Sequence, residues 1–255
     1  QSRGLGDVYK RQLYLGVRAP VMVTDPASAE TCKYAANAFL ATKLSFTNAI
    51  AAVCEAVGAD VNDVLLGMGY DHRIGHEFLR PGPGWGGSCF PKDSRAIISI
   101  AEDAGYDFAL MRGVVTVNDE QFDRIVRKVG SVTELNGATI GLLGLAFKAG
   151  TDDTRESPAL SVARRLVAAG ATVRGYDPAV TKVDIAGVEV VDDAYAACEG
   201  ANALVIATEW DDFKWLDLDK IADAMAEKHI VDARNLLDRG AVKRRGFTYQ
   251  GVGRS

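Results

Sequence analysis

The chain has 255 residues, 48% hydrophobic and 25% charged, an ordinary globular composition with length for one large or two ordinary domains. Its net charge of −5 and pI near 5.3 argue against a dedicated nucleic-acid surface, and no run of five like charges offers a tail for one. The four cysteines, Cys32, Cys54, Cys89 and Cys198, are far apart and form no C-x-x-C, so neither a zinc site nor a disulfide framework is indicated and a reducing cytoplasm fits best.

Residues 1–24 read as a lead-in. Gln1 to Gln12 are polar and aperiodic, and a short strand is expected at Val21 to Val23. The apolar stretch Leu13 to Val23 is broken by Arg18 and Pro20 and is too short to span a membrane, so no membrane partner is expected. Asp25-Pro26 then caps and opens a helix whose apolar positions recur at helical spacing through Tyr34, Ala38, Leu44, Ile50 and Val53 to Gly58. A short helix capped by Asp60 follows to about Met68, then a loop from Arg73 to Ser88. Pro91 and Gly105 bracket a further helix just after Cys89, and another runs from about Phe108 to Val129. Residues 25–130 are therefore expected to form an all-helical domain.

After Asn136-Gly137 the pattern changes. Short apolar runs (Ala138 to Phe147, Thr172 to Tyr176, Val188 to Val191, Ala203 to Thr208, Ile230 to Ala233, Phe247 to Val252) alternate with helical segments at Ser157 to Ala169, Ala194 to Glu199 and Phe213 to Ala226. Strands alternating with helices predict a doubly wound parallel sheet over residues 131–255, α/β overall. Ligands of such sheets sit at the carboxyl ends of the strands, here Leu145 to Lys148, Asp177-Pro178, Thr208 to Trp210 and Asp232 to Arg234. A G-x-G-x-x-G fingerprint is absent from the first strand, so this sheet is not expected to hold a dinucleotide in the usual turn.

The chemistry-bearing candidates each admit a plain structural role as well. Cys89 follows Gly82, Gly84, Gly86 and Gly87 and precedes a helix, so its thiol lies at the positive end of a helix dipole near Lys92, a setting that favours a nucleophile. It equally fits a buried cysteine after a Gly-rich turn. Lys33 and Asn37 share a helix face, as catalytic groups or as an exposed polar stripe. Arg73, Phe78, Leu79, Arg80 and Trp85 mix cations and aromatics as a nucleotide-sugar pocket would, and as many loops do. Lys148 and Arg155 bracket the mouth of the sheet, where Ser157-Pro158 opens a helix able to take an anion. His72 and His76 have no partners at metal-ligand spacing, and no metal site is expected.

Together these pieces resemble the nucleotide-sugar dehydrogenase family, from about Pro20 to Val252. The resemblance is carried by Gly86-Gly87-Ser88-Cys89-Phe90-Pro91-Lys92-Asp93, then Gly144-Leu145-Ala146-Phe147-Lys148 and Asp153-Thr154-Arg155-Glu156-Ser157. It implies two successive NAD-dependent oxidations of a sugar C6 alcohol to a carboxylate, UDP-glucose giving UDP-glucuronate. It implies a central dimerisation domain at 25–130, a Rossmann-like UDP-sugar-binding domain at 131–255, and a homodimer through the central helices. By matching position, Cys89 resembles the nucleophile that captures the C6 aldehyde. Lys33 and Asn37 match groups that contact the reacting sugar, and Asp93 matches the carboxylate that orients or deprotonates water. Phe78, Leu79, Trp85, Gly86 and Phe90 match the lining of the UDP-sugar pocket, with Trp85 in place of the more usual Phe. Arg80 belongs to the same loop. Phe147, Lys148 and Arg234 look like nucleotide or diphosphate contacts, Lys92 and Arg155 like NAD contacts, and Arg73 like the arginine that reaches into a neighbouring subunit.

The family also carries an N-terminal NAD-binding domain ahead of the region matching Pro20, of which residues 1–24 hold at most a remnant. The expectation is a chain that does not turn over UDP-glucose alone, because half the cofactor site is missing. Two other readings stand beside it: a non-catalytic nucleotide-sugar-binding and dimerisation fragment, and an enzyme acting on GDP-mannose or UDP-N-acetylmannosamine. Phe90 and the run His76-Glu77-Phe78-Leu79-Arg80 favour UDP-glucose.

Overall fold

The computed structural model describes residues 12, 14 and 16–254. The lead-in expected over Gln1 to Gln12 therefore lies almost wholly outside the described residues. Val21 to Val23 form no strand: all three are exposed, and no described segment runs beside them to supply ladder hydrogen bonds.

Helix α1 (Pro26–Val57) starts where Asp25 accepts from the Ser28 N–H at 2.9 Å and stops at Gly58, whose φ of 74° suits glycine. Helix α2 (Val61–Gly69) is capped by Asp60, and α3 (Phe90–Asp103) and α4 (Ala109–Gly130) complete the all-helical half. Trp85, Met111 and Val114 pack with Ala38 and Ala41 of α1, so α1, α3 and α4 enclose the start of the Cys89 segment. By length and composition α1 could also cross a membrane, but Ser45, Thr47 and Asn48 are buried on its protein-facing side.

The second half is a six-stranded parallel sheet in the order β3-β2-β1-β4-β5-β6, as the alternating pattern predicts. Its strands are β1 (Thr139–Leu143), β2 (Thr172–Tyr176), β3 (Val188–Val190), β4 (Ala203–Ile206), β5 (His229–Asp232) and β6 (Thr248–Gly251). Helices α5 (Pro158–Ala168), α6 (Ala194–Cys198), α7 (Leu218–Ala224) and α8 (Arg239–Arg244) connect them. The strand order reverses between β1 and β4, which opens the crevice where ligands of such sheets bind.

The single helix expected from Phe213 to Ala226 is broken. A 3-10 turn (Asp211–Trp215) precedes α7, because Leu216 is extended (ψ 140°) and the Asp217 carboxylate caps the N–H groups of Asp219 and Lys220. Helix α8 is too short and polar to show a period in the sequence. Strand β1 ends at Leu143 because Gly144 turns the chain at φ 94°, where a Cβ would collide with Thr208.

The two halves share one core. Ala51 and Cys54 of α1, Val61 and Leu65 of α2, and Phe122, Ile125 and Val129 of α4 pack in one cluster with Ile140 and Leu142 of β1 and Leu160 and Ala163 of α5. Arg165 of α5 pairs with Asp119 (2.6 Å) and Asp123 (2.8 Å) of α4 and lies over the Phe122 ring. The helical half thus stands rigidly against the sheet, with its Cys89 loop over the β1 end.

Candidate active site

Cys89 is the N-cap of α3, exposed, and without a side-chain cap bond; its carbonyl accepts the Asp93 N–H at 2.8 Å. Cys89 and Asp93 are four residues apart and so rise on one face of the first turn. Asp93 has no exposed surface, yet it faces two ammonium groups. Its Oδ2 accepts from Lys33 Nζ (2.9 Å) and Asn37 Nδ2 (2.6 Å) of α1, while Lys92 Nζ stands 2.9 Å from Oδ1, aligned for charge attraction rather than as a straight hydrogen bond. Burial by itself would raise the Asp93 pKa. The contacts with Lys92, Lys33 and Asn37 outweigh it and hold the carboxyl at about 2, so it is ionised at neutral pH. The same contact raises the Lys92 pKa.

Beside this cluster lies a cavity of about 200 Å³ at the domain junction. Phe78, Trp85 and Phe90 make its aromatic wall: the Trp85 and Phe90 rings meet edge to face at 6.3 Å, and Phe78 lies 6.4 Å from Phe90. Lys148 and Arg234 bring positive charge from the ends of the sheet, and Arg80, Gly86 and Phe147 complete the expected lining. Leu79 opens instead into a larger adjoining cavity of about 630 Å³, which shares Arg80 and Arg234 with the first. Arg73 lies apart: it is exposed and chelated by Asp71 at 2.5 Å, and it lines none of these cavities.

On the other side of the Gly86-Gly87 step, Lys92 and Arg155 line a cavity of about 530 Å³ with Gly87, Ser88, Arg95 and Arg164. Four cations against the single acid Glu156, which pairs with Arg95 at 3.0 Å, leave the opening positive and suited to an anionic group such as a dinucleotide phosphate. Arg155 is held by Asp153, bidentate at 2.9 and 2.7 Å, and hydrogen bonds from Arg155 keep the Asp153 carboxyl at about 2. The sheet itself offers no such seat. Asp177, the acid at the end of β2, spends both oxygens on the N–H groups of Leu145, Ala146, Ala179 and Val180 and on Trp210 Nε1.

Close approach fixes the wall between the cavities. A Cβ on Gly86 would overlap the Glu156 carbonyl, one on Gly87 would overlap the Phe147 ring, and the Gly87 N–H donates to the Arg155 carbonyl at 3.1 Å. Phe78, Glu156 and Asn235 are the three non-glycine residues with positive φ, at 62°, 48° and 51° among the described residues. All three border the site, where such backbone strain tends to concentrate.

Sequence reasoning missed Glu209, which lines both junction cavities and reaches Arg234 Nε at 2.9 Å, as well as Arg95, Arg164 and Asn48. The strand-end position of Glu209 was the one available signal. Burial lowers the Arg234 pKa, and the facing Glu209 and Asp232 oppose that shift. No group of three or more His, Cys, Asp or Glu among the described residues is placed to hold a metal ion.

Two family models match the chain. The UDP-glucose/GDP-mannose dehydrogenase family central domain covers residues 27–120, and the UDP binding domain of the same family covers residues 141–239. UDP-glucose 6-dehydrogenase of Rhizobium meliloti (strain 1021) is 44% identical over 97% of this chain and 57% of its own length. UDP-glucose 6-dehydrogenase TuaD of Bacillus subtilis (strain 168) is 46% identical over 95% of the chain and 54% of its own length. The chain thus spans about half the length of the curated relatives it matches. Among solved structures, a UDP-glucose dehydrogenase from Pyrobaculum islandicum superposes with a TM-score of 0.87 at 35% identity, covering 98% of this chain and 56% of that one. A UDP-D-MAnNAc dehydrogenase from Pyrococcus horikoshii gives 0.85 at 30% identity, covering 97% and 57%.

Proposed function

The chain belongs to the UDP-glucose/GDP-mannose dehydrogenase family, and from that membership we propose that it is the central and C-terminal part of an enzyme that oxidises UDP-glucose to UDP-glucuronate with NAD. The observation that carries this reading is the exposed Cys89 at the α3 N-cap, one helical turn from a buried carboxylate that gathers Lys33, Asn37 and Lys92.

The proposed chemistry follows from those groups. Bound NAD supplies the hydride acceptor, and Lys92 and Arg155, with Arg95 and Arg164 in the same cavity, are the residues that would hold its anionic part. Loss of one hydride and one proton turns the C6 alcohol into an aldehyde. Cys89 Sγ adds to that carbonyl carbon, giving a thiohemiacetal whose oxygen takes a proton. Loss of a second hydride, to a second NAD that would replace the reduced one, and of the hydroxyl proton leaves a thioester. Water then adds to the thioester carbon, the C–S bond breaks, and the carboxylate leaves with one proton released to solvent and Cys89 restored as a thiol. Asp93, ionised throughout, orients the water, while Lys33 and Asn37 face the oxyanion that forms at each addition. Lys148 and Arg234 take the diphosphate.

We extend the proposal to a homodimer through α1. Phe39, Phe46 and Val53 recur every seven residues along it and are 65%, 50% and 54% exposed, an apolar seam left uncovered among the described residues. Calorimetry of the purified chain with UDP-glucose and with GDP-mannose tests the substrate. UDP-glucose binding at least tenfold tighter is expected, and equal or tighter binding of GDP-mannose contradicts it.

A further inference from the structure

The segment from Pro81 to Ser88 forms a wall of the aromatic cavity and leads into Cys89, yet it has no helix or strand of its own. Gly82, Gly84, Gly86 and Gly87 let it pass close to its neighbours, and they also make it costly in entropy to order.

Two helices supply what a neighbouring strand would. Asn118 of α4 pairs with Trp85 reciprocally: its Oδ1 accepts the Trp85 N–H at 2.8 Å and its Nδ2 donates to the Trp85 carbonyl at 3.0 Å. Asn48 of α1 accepts the Gly82 N–H at 2.9 Å, and Gln121 of α4 donates to the Gly82 carbonyl at 2.8 Å. The Trp85 ring is held too, its Nε1 donating to Ser45 Oγ at 2.9 Å, and Ser45 donating on to the Val114 carbonyl at 2.8 Å. Both backbone groups of Gly82 and of Trp85 are thus satisfied by side chains.

These amides are expensive where they stand. Asn48, Gln121 and Asn118 are only 4%, 3% and 7% exposed, on helix faces where an apolar side chain would pack without any desolvation cost. What they do at that depth is grip the loop. We propose that Asn48, Asn118 and Gln121 are positioning residues that hold the Gly82–Trp85 loop in its sugar-binding shape before ligand arrives, a role that rests on the function proposed above. Because α1 also carries Lys33 and Asn37, one rigid helix sets both the loop and the ion cluster, and the cavity needs no ordering on binding.

The test uses the purified chain with Asn118→Ala, and with Ile230→Val, a truncation in the core on the other side of the sheet, as a control for stability alone. Amide hydrogen exchange at Trp85 and calorimetry with UDP-glucose are read at a temperature well below both melting points. The expected result is Trp85 exchange at least tenfold faster and UDP-glucose binding at least tenfold weaker in Asn118→Ala, with both near wild type in Ile230→Val. Binding by Asn118→Ala within twofold of wild type overturns the proposal, as does equal weakening in Ile230→Val. Wild-type protein that binds no UDP-glucose sinks the functional reading instead; the clamp is then decided by exchange alone, and unchanged Trp85 exchange in Asn118→Ala overturns it. If Asn118→Ala does not fold, Asn48→Ala is read with the same thresholds by UDP-glucose affinity and by exchange at Gly82, whose N–H loses its acceptor.

Discussion

Lys33 on α1 and Asp93 on α3 are 60 residues apart in sequence and 2.9 Å apart in the fold, and Asn37 reaches the same carboxylate oxygen at 2.6 Å. Two helices are thereby pinned at the point where Cys89 begins the second of them. The contact is structural and chemical at once: it fixes the approach of α1 to α3 and keeps a carboxylate ionised beside a thiol.

Acid should loosen this joint. The Asp93 carboxyl sits at about 2 in the folded chain against 3.8 unfolded, so its contribution is complete above the unfolded value and is lost as pH falls toward about 2. Asp153, also at about 2, adds to the same acid window. Thermal melts between about pH 5 and pH 2.5 should show the wild-type melting temperature falling more steeply than that of Asp93→Asn. Parallel slopes would contradict the account.

Gly86 separates the sugar-side cavity from the cationic one. A Cβ there meets the Glu156 carbonyl, which is backbone and cannot swing aside. Gly86→Ala should therefore cost about 1–3 kcal/mol of stability, the usual range for forced overpacking. It should also weaken UDP-glucose binding, because the loop that lines the aromatic cavity must shift away from Glu156 and Pro158. A melting temperature and affinity equal to wild type would show that the wall is not tightly packed.

The α1 seam gives a prediction for assembly. Light scattering should report twice 27.2 kDa for the wild-type chain and about half that for Phe46→Glu, which buries a charge in the seam. A wild-type mass of one chain, or a Phe46→Glu chain that stays paired, rules the seam out.

How far the sequence foretold this depends on the range of the interaction. The α3 start was legible because Pro91 and the glycines before it act locally, and the parallel sheet was legible because apolar runs alternated with helical ones. The joint of Lys33 with Asp93 left only the two halves in view, each an ordinary polar residue on a helix face. Residue-level matches placed eight of the ten expected substrate contacts around one cavity. Nothing local marked Arg95 or Arg164, which meet Lys92 and Arg155 only because α3 and α5 border the same cavity. The missed break at Leu216 has the same character: apolar spacing continued across it, while the Asp217 cap that made the break was read as one more helix residue. Asn48 and Asn118 were hidden because an amide inside an apolar helix stripe gives no sign of the loop it will hold.

The central claim is that Cys89, the residue before Phe90 of the aromatic cavity wall, is the reacting nucleophile. Mass spectrometry of the chain under iodoacetamide, with and without saturating UDP-glucose, tests it most directly, since Cys32 is also exposed and serves as an internal control while Cys54 and Cys198 are buried. The account predicts that UDP-glucose slows alkylation of Cys89 at least tenfold and leaves Cys32 unchanged. Equal alkylation rates at Cys89 with and without bound UDP-glucose would contradict it.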